Sequence, residues 1–300
     1  MGSALDGGPR LPPDGVAETL LQFSVSGIVL GSMVALASLG LTLIWGIEGF
    51  PNIAQGDILT LAAYLTFTFS AGLGLPLGLA GVIAIGLTAV AVLAIYFLAF
   101  RPLKGAPLVT LFVASIGVAL ALRGVIGFVW GTELHNYPLT VSRDVSLGIV
   151  HINPVDLVVV LSATTLVAIL YVFIYKTRIG TEMRAVADVP QLARVSGINS
   201  ERVLQAAWLV AGAVTATAGV LLGAEIDVDP QLGWNLLLAM FAATTLGGVG
   251  SLPGAIIGAV VIGIAMDVST VWISPTYKVA VAFLFLALVL LVRPRGLFAK

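Results

Sequence analysis

The chain of 300 residues contains no cysteine and only two histidines, His135 and His151. The first absence excludes a disulfide framework, a thiolate nucleophile and a cysteine-ligated zinc cluster, and it leaves the redox compartment undetermined. The two histidines share one polar loop at a separation that matches no metal-ligand spacing, so no metal site is expected. Charge is scarce too. Asp, Glu, Lys and Arg together make up 10% of the residues, against about 25% in a soluble domain. With a net charge of −1, nucleic-acid binding has no electrostatic support. No H-E-x-x-H, G-x-S-x-G or G-x-x-x-x-G-K-[ST] sequence occurs, so zincin, nucleophile-elbow and P-loop chemistry are excluded. Neither an enzyme nor a cofactor is therefore expected, and any ATP used must be hydrolysed by another chain. The first residues, MGSALDGGPRLPPDG, lack the cationic start and directly following apolar stretch of a signal peptide. Their Gly and Pro predict a flexible tail over residues 1–18.

What fills the chain instead is hydrocarbon. Hydrophobic residues make up 59% and the mean hydropathy is +1.10, which places the protein in lipid. Apolar segments near the roughly 20 residues needed to cross a bilayer run over 19–45, 53–71, 75–100, 107–130, 155–175, 203–224, 232–246, 254–273 and 277–292. They predict an all-α polytopic membrane protein with about eight or nine transmembrane helices, the seventh short enough to be re-entrant.

One polar island interrupts this pattern: KTRIGTEMRAVADVPQLARVSGINSER, residues 176–202, with the cations Lys176, Arg178, Arg184, Arg194 and Arg202. Asp188 as N-cap, Gln191 at capping-box spacing, Pro190 in the first turn and Gly197 at the end predict a docked helix of roughly two turns, about 12 Å long. So short a helix is marginal alone in water, so something must pack against it. A cytoplasmic island also puts Arg101, Lys104, Arg293, Arg295 and Lys300 inside and leaves Arg10, Arg143 and Lys278 outside. The positive-inside rule then places the N-terminus outside and the C-terminus inside.

Two places break the helical pattern: GIEGFPNIAQGD at 46–57 and TTLGGVGSLPGAIIG at 244–258. Non-helical backbone at membrane depth is tolerated only against protein or a water-filled cavity, and paired breaks point to a transport site. On that reading Asn52, Gln55 and Asp57 face Thr244, Thr245 and Ser251 across a polar cavity with otherwise apolar walls, which suits an aliphatic amino acid better than a sugar. The competing reading makes both segments plain cytoplasmic turns, and spacing alone leaves the two open. Arg123 lies about 10 Å from the outer end of its span and is expected to snorkel. Asp156 and Asp267 read as interfacial, while Asp57 needs a partner or water. Of the GxxxG spacings, Gly219/Gly223 and Gly254/Gly258 are expected to be helix contacts; Gly27/Gly31, Gly74/Gly78 and Gly127/Gly131 stay unassigned.

The series GIEGFPNIAQGD, RAVADVPQLARVSGIN at 184–199, AGVLLG at 218–223, LGGVGSLPGAIIG at 246–258 and RPRGLF at 293–298 resembles the permease subunits of ATP-binding-cassette importers for branched-chain amino acids. The wider group also holds urea and ribose-type permeases. The resemblance spans the chain beyond the tail, so residues 19–300 are expected to form one permease domain. It implies a multi-pass bacterial inner-membrane protein working with two cytoplasmic ATPase subunits, a second permease subunit, identical or homologous, and a periplasmic solute-binding protein. By position, the coupling helix inserted into the ATPase falls in 184–199, with Arg184, Asp188, Gln191, Ala193 and Gly197. Such permeases usually read N-F-A-H-G-E in the first motif; here Gln55 stands for the His and Asp57 for the Glu. A stand-alone ion-coupled carrier or channel is the alternative from another class. Ion coupling usually leaves several carboxylates at mid-depth, and only Asp57 qualifies, which favours a driving partner.

Overall fold

Hydrocarbon offers the main chain no hydrogen bonds, so a spanning segment must satisfy its own amides, and an α-helix does so within itself. The computed structural model describes residues 13–138, 145–147, 150–293 and 296–298. Its helices are α1 Pro13–Glu48, α2 Gln55–Phe67, α3 Leu77–Ile95, α4 Leu108–Trp130, α5 Pro154–Lys176, α6 Arg178–Asp188, α7 Pro190–Val195, α8 Ser200–Glu225, α9 Leu232–Gly247, α10 Leu252–Ser269 and α11 Lys278–Val292. Among the described residues, seven helices are long and apolar enough to cross a membrane: α1, α3 with the turns that extend it to Leu103, α4, α5, α8, α10 and α11 with its leading turn. The other two apolar stretches are shorter helices. α2 has 13 residues and runs on through a π-helical turn, Thr68–Gly72. α9 has 16 residues, about 24 Å of helix, less than the roughly 30 Å hydrocarbon core.

α1 lies at the centre, packed on α10, α9, α8 and α5, while α2 fills the space between α8, α9 and α3. α4, α5 and α11 stand at the rim and expose large side chains such as Phe128, Leu161 and Leu291, as a lipid-facing surface should. A short hairpin, β1 Val145–Leu147 with β2 Val150–Ile152, lies between α4 and α5. The loop after α4 meets the loop after α8 through two backbone hydrogen bonds between His135 and Val228, 3.0 and 2.8 Å, so both lie at the same end of the bundle. Arg10, Arg143, Arg295 and Lys300 and residues 1–12 of the predicted N-terminal tail lie outside the described residues, as does the side chain of His151, whereas residues 13–18, expected to be flexible, already belong to α1.

Lipid is as apolar as leucine, so close backbone approach decides which helices touch. Gly219 of α8 meets the Leu59 carbonyl of α2, Gly223 meets Tyr137, and Gly254 and Gly258 meet α9 at Gly247 and Ala243. Gly27 and Gly31 also prove to be contacts: a Cβ on them would lie 2.6 Å from the Ile264 Cα and 2.9 Å from the Val260 Cα of α10. Gly74, Gly78, Gly127 and Gly131 have open space where a Cβ would stand.

The polar island folds as two helices rather than one. Thr177 caps α6 by accepting from the Gly180 amide, and Gly180, Met183 and Val186 form its buried stripe. Asp188 is the last residue of α6, and the N-cap of α7 is Val189, which has no side-chain cap bond. The expected Asp188/Gln191 capping box is therefore not formed, because the α6 hydrogen bonds already use the residues ahead of Pro190. Gly197 does end α7: its φ is +82°, its amide donates to Arg194 O at 3.0 Å and the Ile198 amide donates to Ala193 O at 3.0 Å. Asn199 then caps α8 through the amides of Glu201 and Arg202.

The glycine geometry gives a paired test. A Cβ on Gly263 of α10 would collide with the Gly27 and Gly31 main chain of α1, so Gly263→Leu must push the two helices apart and should destabilise the purified protein by about 3 kcal/mol, whereas Gly78→Leu should shift it by no more than about 0.5 kcal/mol. Thermal unfolding in one detergent measures both.

Candidate functional site

Both predicted breaks are real interruptions, and each is finished by side chains from other helices. At the first, α1 stops at Glu48, Gly49 takes φ +81°, and Pro51 has no amide to donate. Asn52 Oδ1 accepts from the Ala54 amide at 3.1 Å, and Ser115 Oγ of α4 accepts from the Ile53 amide at 3.1 Å. Asn52 Nδ2 donates to Gln55 Oε1 at 3.3 Å, and Gln55 Nε2 donates to Thr215 Oγ1 of α8. Gly40 of α1 faces that last bond, and any larger residue would collide with it. Asn52, Gln55 and Asp57 are all fully buried.

Asp57 has its partner in Arg123 of α4. Nε donates to Oδ1 at 3.0 Å and Nη2 to Oδ2 at 3.1 Å, the paired fork geometry of arginine on a carboxylate. The guanidinium also lies over the Trp234 ring of α9, 4.7 Å from its centroid. Arg123 therefore does not snorkel: a counter-ion inside the protein is nearer than the interface. Asp267, read as interfacial, bonds Lys278 at 3.3 Å, and Asp156 completes the capping box of α5 with Asn153.

At the second break, Gly248 and Gly250 take φ +95° and +80°. The Gly250 amide donates to Thr42 Oγ1 of α1 at 3.1 Å, and Ser251 caps α10 by accepting from the Gly254 amide at 3.2 Å. The last carbonyls of α9 are met from the end of the chain. Leu297 N donates to Leu246 O at 2.8 Å and Phe298 N to Gly247 O at 3.3 Å. Thr244 and Thr245 are buried, Thr244 against the Ser38 carbonyl of α1.

The end of α1 touches the second break, where a Cβ on Gly46 would lie 2.9 Å from the Gly250 Cα. Beside this contact opens a cavity of about 430 Å³, walled by the end of α1, the second break, the end of α5 and α6. Ser251, Arg184 and Asp188 line it; Asn52, Gln55, Asp57, Thr244 and Thr245 do not. The first-break cluster is packed among α1, α2, α4 and α8 instead. Gln191 of α7 is exposed, and Ala193 anchors that helix from its buried side.

Sequence reasoning missed several groups that act at these breaks. Thr42, Ser115 and Thr215 are single hydroxyls within apolar helices, with no local mark of their distant partners. Arg123 carried a signal, since a buried cation needs an anion and Asp57 stood unpaired. Trp208 was also missed: its Nε1 donates to Glu48 Oε1 at 3.0 Å, and its ring packs on Phe100 at 4.7 Å. Glu201 fastens the α3–α4 turn to α8 through Arg101 at 3.1 Å and Lys104 at 2.6 Å. Among the described residues, no group of three or more His, Cys, Asp or Glu side chains is placed to hold a metal ion.

The model of the branched-chain amino acid transport system / permease component family matches residues 23–291. The chain belongs to that family. This permease is 32% identical over 297 residues to the high-affinity branched-chain amino acid transport system permease protein LivH of Escherichia coli K12, covering 93% of this chain and 96% of that one. It is 30% identical to the permease protein BraD of Pseudomonas aeruginosa, with the same coverage of each. A partial match, 29% identical over 56% of this chain and 50% of the relative, reaches the xylose transport system permease protein XylH of Escherichia coli. Among solved structures, PsaBC from Streptococcus pneumoniae in complex with Fab superposes with a TM-score of 0.51 at 16% identity, covering 94% of this chain and 95% of that one. At that identity the likeness is one of fold.

The Asp57–Arg123 pair predicts a non-additive mutant cycle. Asp57→Asn or Arg123→Gln alone leaves one charge stranded and should cost about 3 kcal/mol, the low end for a buried pair because the Arg123 side chain is 22% exposed. The double variant should lose less than the sum of the two, as denaturant unfolding in detergent would show.

Proposed function

We propose that this permease is a membrane-spanning subunit of an ATP-driven importer that carries branched-chain or other hydrophobic amino acids into a bacterial cytoplasm. Its partners on this reading are two cytoplasmic ATPase subunits, a second permease subunit, identical or homologous, and a periplasmic solute-binding protein. The observation that carries the reading is the end-to-end match to LivH and BraD, whose names specify branched-chain amino acids. The wall of the cavity is mixed, and its apolar part, Trp45, Ile47, Ile174, Met183 and Leu252, offers contacts to an aliphatic side chain. The state of Asp57 weighs against an ion-coupled carrier, because Arg123 already neutralises it and an ion-coupling carboxylate has to be free to exchange.

In this reading α7 is the coupling element. It exposes Leu192 at 62% and Val195 at 86% on a helix of six residues, an apolar surface too large for so small an element to leave in water without a partner. Gln191, Leu192 and Val195 meet the ATPase, Ala193 holds α7 to the permease, and Gly197 sets its end. Arg184 and Asp188, one helix earlier, transmit the movement to the second break. ATP-driven closure of the ATPases shifts α6 and α7 against the breaks and so switches the pathway between inward and outward openings. Ser251 borders the solute route, while Asn52, Gln55, Asp57, Thr244 and Thr245 hold the two breaks in shape. The chain lies in the inner membrane with its N-terminus periplasmic and the island and C-terminus cytoplasmic, as the positive-inside rule requires.

Reconstituted uptake of radiolabelled leucine tests the function. The complete complex with its binding protein should import leucine only with ATP, and uptake by the permease alone, without ATP, would overturn the reading. Gly197→Val forces a β-branched residue into a left-handed conformation at a cost of about 1–2 kcal/mol. The complex should still assemble, while the rise in ATP hydrolysis caused by the loaded binding protein falls. Because the chain has no cysteine, Asn136→Cys should react with an impermeant maleimide from outside intact cells, and Val195→Cys, in permease expressed without the ATPases, only after the inner face is opened.

A further inference from the structure

The cavity beside the second break has more chemistry than a passage requires. Arg184 and Asp188 lie four residues apart on α6 and both line it, which puts their Cβ atoms about 5–6 Å apart on one face of the helix. They are not ion-paired with each other: among the described residues Asp188 makes no hydrogen bond or salt bridge, and Arg184 reaches only Thr181 Oγ1 at 3.4 Å and the Tyr175 ring, 4.9 Å from its centroid. One exposed cation donor and one exposed carboxylate acceptor thus stand without a protein counter-ion at the edge of a recess whose wall mixes polar groups with the apolar side chains of Trp45, Ile174 and Leu252. The space, about 430 Å³, lies within the roughly 300–1,000 Å³ range of small-molecule sites.

We infer that this cavity is a binding site, open to the cytoplasmic side, for a free zwitterionic amino acid with an aliphatic side chain. The inference rests on the function proposed above and places its solute at an inward-facing site. The ligand carboxylate bonds Arg184, its ammonium bonds Asp188, and its side chain enters the recess between Trp45, Ile174 and Leu252. A sugar or urea could hydrogen-bond these groups but carries no charge to match either of them. The site's walls include the second break and α6, which adjoins α7, so a bound amino acid cross-braces the elements that must move apart during the transport cycle. Accumulated cytoplasmic product would then slow further import by holding one arrangement of the breaks.

Alkylation protection reads the site directly. Val249 lines the cavity and is 40% exposed, so Val249→Cys in the complete complex in nanodiscs should react with a maleimide. L-Leucine should slow that reaction, and it should not slow the reaction of Arg178→Cys, which lies outside the cavity. 4-Methylpentanoate, which lacks the ammonium, and 3-methylbutylamine, which lacks the carboxylate, should each need about tenfold or more higher concentration for the same protection, the loss expected for one charge-assisted hydrogen bond. Adding Arg184→Gln or Asp188→Asn should weaken leucine protection by a similar factor. The inference is overturned if Val249→Cys does not react, if leucine leaves its rate unchanged, or if protection survives both substitutions. Leucine uptake by the unaltered complex is measured alongside. Uptake without protection sinks the inward site alone, and absence of ATP-driven leucine uptake sinks the proposed function and this site with it.

Discussion

Interrupting a helix frees amides and carbonyls that must find new partners wherever the turn is buried, and much of this structure is arranged around meeting them. Two interruptions, at 49–54 and 248–251, border one cavity, the first through Gly49 and the second through Val249, Gly250 and Ser251. The first is completed from α4 and α8 by Ser115 and Thr215, the second from α1 by Thr42 and from the chain's end by Leu297 and Phe298. Four separate stretches of sequence therefore have to be in place before two short turns can exist. Their shape depends on the arrangement of the whole bundle, so a shift of neighbouring helices is felt at both turns together.

That dependence explains where the small residues and the charges fall. Glycine at the crossings of α1 with α10, α2 with α8 and α9 with α10 lets main chains approach until hydroxyls and carbonyls of different helices come within bonding range. The Asp57–Arg123 pair joins α2 to α4, a rim helix with little other buried contact. A buried pair of this kind contributes less to stability than its geometry suggests, because both charges lose water. Its clearer effect is to hold one register between two helices whose other contacts are interchangeable hydrocarbon.

The polar end of the molecule follows a different logic. α6 and α7 are not membrane elements, and they persist because α6 buries Gly180, Met183 and Val186 against the bundle. α7 then turns apolar side chains away from the protein, and α6 turns Arg184 and Asp188 towards the cavity. A single stretch of chain thus faces both the solvent and the second break.

Much of the architecture was legible before any coordinates. Each of the nine apolar stretches became a helix, because their lengths reflect the thickness of a bilayer and no tertiary contact is needed to choose helix over strand in lipid. Gly, Pro and clustered polar residues marked both breaks correctly, since those residues act on the local backbone whatever surrounds them. Local signals were less secure in water: Asp188 and Gln191 had the spacing of a cap, yet an adjoining helix had already claimed Asp188. What the sequence by itself determined was therefore the membrane class, the helices, the two interruptions and, through its ordered motifs, the permease family. Only the tertiary structure decided that Asp57 meets Arg123, that Gln55 meets Thr215 and that Gly250 meets Thr42. Those outcomes join residues 66, 160 and 208 positions apart, and a pairing over such distances is set by helix packing, which leaves no period or spacing in the sequence to read.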